Sequence, residues 1–142
     1  DRAQQQLVVA RGATPEQRAT VENALAQPAL FGRPALAAGL WLYVDELDRS
    51  HGFSQAMHDS TGSFWHGIMH RREGDFGNSR YWFAQVGNHP AMARIPGYDP
   101  DAFIEEVARL DRAQQHADAP ERLVALQRAE WCVLFEHCAT EE

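Results

Sequence analysis

Apolar residues along this chain recur at three- and four-residue spacing, and a two-residue alternation never persists. That pattern predicts helices and no sheet. The first clear helix start is Thr14-Pro15-Glu16-Gln17. Thr14 can cap, Pro15 suits the first helical position, and Gln17 completes a capping box. Val21 and Leu25 give this helix a thin apolar face, and Pro28 ends it. Residues 1–13 ahead of it read as a loosely ordered lead-in or a short helix. Pro34 opens a second helix, with Leu36, Leu40, Val44 and Leu47 on one stripe that Trp41 and Tyr43 widen. It is expected to stop at Gly52, with a short piece over 53–57 continuing at an angle. Asp59, Ser60 and Thr61 offer caps for a third helix, Gly62–Arg72, with Trp65, Ile68 and Met69 inward. Gly74-Asp75 turns the chain into a fourth, Phe76–Val86, with Ser79, Phe83 and Val86 inward and a stop at Gly87. A loop covers 91–98. Asp99-Pro100 starts a fifth helix (Phe103, Val107 and Leu110 inward) and Pro120 a sixth (Leu123, Val124, Trp131, Leu134, Phe135 and Cys138). The expectation is one all-α domain over residues 1–142, a bundle of five or six helices.

Composition narrows the function more than the fold. The chain has 142 residues, enough for one domain with its own core. The net charge of −7, without a basic run, disfavours nucleic acid as a partner. The longest apolar stretch, Ala35–Val44, is too short to cross a bilayer, so no membrane partner is expected. Cys132 and Cys138 stand six apart in a helical pattern, on different faces and too distant to bridge. A reducing, cytoplasmic setting is the simpler expectation. Nothing at the start reads as a signal peptide, although the chain begins at Asp1 rather than Met.

The polar stretch from His66 to His89 carries the chemistry. In His66-x-x-x-His70-x-x-Glu73 three groups share one helical face. Two imidazoles one turn apart can chelate a metal, and the carboxylate can join or orient them. His51, His89, Asp45 and Asp48 are candidates to complete the shell, and such ligands suit Zn, Fe or Mn. In the competing structural reading, His70 hydrogen-bonds Asp45 or Asp48 and His66 sits half-exposed. Glu73 falls at a helix C-terminus, where a carboxylate is disfavoured, so Arg71 and Arg72 are expected to offset it. The two arginines allow two readings: an interhelical salt-bridge network with Asp45, Asp48, Glu73 and Asp75, or a clamp for an anionic ligand. Tyr81, Trp82 and Phe83 are consecutive aromatics that point three ways, so Tyr81 or Trp82 must meet another helix, a pocket or solvent. Ser50 beside His51 is only adjacency, neither cysteine has an activating neighbour, and there is no phosphate-binding loop.

Two resemblances sit on the same residues. Phe64–His70, Gly74-Asp75-Phe76 and Tyr81-Trp82-Phe83, with Gly67, Ser79 and Pro90, resemble a single tetratricopeptide-type helical hairpin. More widely, Asp45-x-x-Asp48-x-Ser50-His51 followed by Trp65-His66-x-x-Met69-His70-Arg71-Arg72-Glu73-x-Asp75-x-x-Asn78-x-x-Tyr81-Trp82-Phe83 resembles a family of small bacterial and fungal proteins with no assigned activity. That resemblance covers about residues 36–131, including Glu130-Trp131, and implies a helical domain.

The resulting expectation is a small-molecule-binding or enzymatic domain. Its ligand would be small and polar or anionic, held between helices two, three and four. His66 and His70 are the metal candidates, and His51, Arg71, Arg72 and Glu73 the catalytic ones. Asp45, Asp48, Tyr81, Trp82 and His89 would contact the ligand. The alternative is a helical protein-interaction module whose polar cluster is structural, with an aromatic patch exposed elsewhere.

Overall fold

Prolines and short polar caps set most of the helix starts in the computed structural model, which describes residues 6–114 and 119–140. Helix α1 spans Pro15–Leu25 behind the capping box of Thr14 and Gln17. It is followed by α2 (Pro34–Tyr43), α3 (Leu47–Gln55), α4 (Ser60–Arg72) and α5 (Phe76–Val86). A 3-10 turn over Pro90–Arg94 leads to α6 (Pro100–Arg112) and α7 (Glu121–Thr140). Asp59, Asp75 and Asp99 cap α4, α5 and α6, each accepting a backbone N–H three residues on. The described residues are all-α, with seven helices rather than five or six.

The extra helix comes from a break that the apolar stripe concealed. The second helix does not run to Gly52. It ends at Tyr43, and Asp45 takes a left-handed φ of 67° before α3 begins. Arg72 holds this corner by donating to the Leu42 carbonyl at 3.0 Å and to the Asp45 carboxylate at 2.6 Å. Gly52 is interior to α3, and of the piece expected at 53–57 that helix takes in 53–55 before ending at Gln55. The buried Ser50 hydroxyl donates to the Ala38 carbonyl at 2.8 Å and ties α3 back onto α2. The loop expected at 91–98 opens with the 3-10 turn.

The described part of the N-terminal lead-in, residues 6–13, is not loose. Leu7 is buried with Phe103, Val107 and Leu123. The Val9 N–H donates to the Arg72 carbonyl at 2.7 Å.

Helix α4 is the centre of the bundle. Every residue from Gly62 to Arg72 is buried, with Phe64, Trp65, Ile68 and Met69 in the main core. Helix α5 folds back on it through a turn in which Gly74 adopts φ +85°. The two approach closely because Gly67 has no side chain: a Cβ there would lie 2.7 Å from the Phe83 ring. The Ser79 hydroxyl donates to the Gly67 carbonyl at 2.7 Å and fixes the register. A fully buried helix carrying His66, His70, Arg71 and Arg72 must give each polar group a partner or a use. No described helix is long and apolar enough to cross a membrane.

Candidate metal centre

Three imidazoles meet where α3 packs beside α4. His66 and His70 are one turn apart on α4 and stack with ring centres 4.7 Å apart. His51 from α3 meets them edge-on, 4.6 Å from His66 and 5.5 Å from His70. One nitrogen from each ring lies within 4.8 Å of the others. His66 is only 3% exposed, its Nδ1 has no hydrogen-bond partner among the described residues, and Trp82 stacks on its ring at 3.9 Å. Burial, then the proximity of His70 and His51, lowers its pKa from 6.5 to about 4. It is therefore neutral at neutral pH, the form that binds a metal. His70 Nδ1 meets the Glu73 carboxylate at 2.6 Å, and Asp75 Oδ2 lies 3.9 Å away.

The arginines form a different structure. Arg71 is fully buried and makes a two-pronged pair with Glu130 of α7, at 3.0 and 2.7 Å. Gln127 accepts from it at 3.4 Å, Tyr98 donates to Glu130, and the guanidinium lies over the Phe103 ring at 4.1 Å. Burial, and then the charge of Glu130, raises the Tyr98 pKa well above its ordinary value, so it stays a phenol. Arg72 is equally buried; besides Leu42 and Asp45 it donates to the Gln6 carbonyl at 2.9 Å. Of the two readings open to Arg71 and Arg72, the geometry is that of the interhelical network. Neither side chain is exposed to a ligand, and among the described residues the Nε of each finds no hydrogen-bond partner. Their partners are Glu130 and Asp45, not Asp48, Glu73 or Asp75.

The remaining candidates separate. His51 joins the two metal candidates. Trp82 forms a wall against His66, and Tyr81 stands exposed, edge-on to Trp82 at 5.2 Å. Asp45 is engaged by Arg72, while Asp48 is exposed in the first turn of α3. His70 pairs with Glu73 rather than with Asp45 or Asp48, and that histidine, not an arginine, answers the Glu73 carboxylate at the end of α4. His89 is not part of the cluster. It caps the 3-10 turn, its Nδ1 accepting the Ala91 N–H at 3.1 Å. Its Nε2 therefore carries the proton and donates to the Thr61 hydroxyl at 2.9 Å. Thr61 is nine residues before His70, about 13 Å along the helix.

Sequence reasoning missed Gln127, Glu130, Tyr98 and Gln6 as partners of the arginines. A signal for two of them existed. Leu123, Gln127, Glu130 and Leu134 share one helical stripe, so two polar residues stand where apolar ones belong. No family model, curated protein or solved structure matches this chain.

Proposed function

We propose that this protein binds a divalent transition metal through His51, His66 and His70 and uses it to act on a small polar molecule. One observation carries the reading: three imidazoles converge, and one of them, His66, has a buried Nδ1 with no hydrogen-bond partner among the described residues. Leaving a buried nitrogen unsatisfied costs about 1–3 kcal/mol, which metal ligation would recover. Three nitrogen ligands suit zinc with a fourth position left for water, as in catalytic rather than structural sites; Fe and Mn are the other candidates. A metal bound there would lower the pKa of that water or polarise a carbonyl. His51, the least buried of the three, lies on the side of approach. Trp82 and, beyond it, Tyr81 supply aromatic surface beside His66. With Arg71 and Arg72 sealed in the interior, a polar ligand fits better than an anionic one held by arginine. Two free cysteines suit a reducing compartment such as the cytoplasm.

The interaction-module reading has its own support. The arginine network is internal, and Phe31 and Phe53 are exposed beside a 380 Å³ apolar groove with Leu25, Leu30 and Pro34. It gives no reason for three histidines to face one another with the buried Nδ1 of His66 left unpartnered, and so ranks second.

Elemental analysis of protein purified without a metal-affinity step tests the proposal, together with Co(II) titration followed by visible absorption. About one equivalent of metal is expected, and His66→Ala should abolish it. Native protein that carries no metal and takes up no Co(II) refutes the reading.

A further inference from the structure

Resting on that metal reading, we infer that Glu73 is a positioning residue for the centre: its carboxylate holds the His70 imidazole with the proton on Nδ1 and commits Nε2 to the metal. Glu73 is the residue at which α4 ends. Helix carbonyls concentrate negative charge there, and a carboxylate is disfavoured. The adjacent arginines give no relief, because both are engaged with other carboxylates inside the bundle. Glu73 instead takes His70 Nδ1 at 2.6 Å. A carboxylate only accepts, so Nδ1 carries the proton, and a ring held this way can bind a metal only through the lone pair of Nε2. That is the nitrogen left for an ion shared with His51 and His66. Carboxylates commonly orient metal-bound imidazoles through the far nitrogen in this way.

Asp75 does not share the task. Its Oδ2 is 3.9 Å from His70 Nδ1, beyond hydrogen-bond reach. Both of its oxygens serve Asn78 at the start of α5, accepting the backbone N–H at 3.3 Å and the side-chain amide at 2.7 Å. Glu73 also orients rather than ligates, since reaching the ion would mean releasing Nδ1. His66 has no acceptor on its Nδ1 and is held by the Trp82 ring. Among the described residues, Glu73 is the carboxylate seen to orient a ring of the centre.

Two measurements test this. Long-range proton–nitrogen spectra of the metal-free, 15N-labelled protein should show His70 protonated on Nδ1. Co(II) titration should give a Kd about 10-fold weaker in Glu73→Gln, which keeps an acceptor without charge, and about 100-fold weaker in Glu73→Ala. The metal-free Glu73→Ala protein should melt within about 2 °C of the parent, because relief at the helix end offsets the lost hydrogen bond. A purely structural Glu73 gives the reverse, a lower Tm with unchanged affinity. A parent His70 protonated on Nε2, or Glu73→Ala binding Co(II) as tightly as the parent, overturns the inference and leaves the metal reading standing. A parent that takes up no Co(II) overturns the metal reading and this inference with it.

Discussion

Arg71 and Arg72 leave the last turn of α4 in one set of directions, His66 and His70 in another, and the helix treats the two pairs in opposite ways. Each guanidinium is sealed and met by a carboxylate from a distant part of the chain, Glu130 or Asp45. The cluster of His51, His66 and His70 contains no carboxylate, and the one that reaches His70 does so from outside it. The contrast follows from the chemistry of the groups. An arginine is always charged, so burying it without a partner is prohibitive. Its partners then become staples, here joining α4 to α7, to the corner after α2 and to residue 6. A histidine can be buried neutral, and a nitrogen left without a partner remains available to a ligand. Polar residues adjacent in sequence thus serve stability on one side of the helix and a candidate site on the other.

Breaking the closed side should have the largest effect. Glu130→Ala leaves Arg71 buried and unpaired, and a loss of about 3–5 kcal/mol is expected in urea unfolding. Co(II) affinity of the protein that remains folded should not change. A cost near zero would mean that the network is not what holds α7 against α4.

Acid separates the sides next. Above pH 6.5 His66 is neutral both folded and unfolded, and contributes no pH dependence. Its folded pKa is lowered to about 4, so between these values the unfolded chain binds a proton that the folded protein does not. Stability of the metal-free protein should therefore fall as the pH drops from about 6.5 and level off near 4, by up to about 3 kcal/mol. In His66→Phe this part of the profile should flatten, as urea unfolding at a series of pH values would show. Equal slopes in parent and variant would place the acid sensitivity elsewhere.

Much of the fold was legible in the sequence, and the reasons are local. Thr14 with Gln17, Asp75 and Asp99 cap the helices they were expected to cap, because a cap is decided within four residues. The break after Tyr43 was not legible. Its cause is Arg72, 30 residues away from Leu42, and the apolar stripe through Leu47 runs on as though the helix continued. The site divides in the same manner. His66 and His70 share a face by helical geometry alone, whereas placing His51 beside them depends on how α3 packs against α4. The arginines had two readings in sequence because their partners lie at Glu130 and Asp45, and no local pattern says which carboxylate a buried cation will find.

The smallest expected effect is also the one with the opposite sign. His66→Phe keeps an aromatic ring stacked on Trp82 and removes the buried, unpartnered Nδ1. At neutral pH the metal-free variant should be more stable than the parent, by about 1 kcal/mol, since an unsatisfied buried polar atom disappears while the packing volume is nearly kept. Metal should reverse the order: only the parent should gain stability when Zn(II) is added, by about 3 kcal/mol at a hundredfold excess over its Kd. Urea unfolding of both proteins with and without Zn(II) measures all four values. A His66→Phe protein less stable than the metal-free parent would mean that the imidazole earns its place through packing. The unpartnered nitrogen would then no longer point to a ligand.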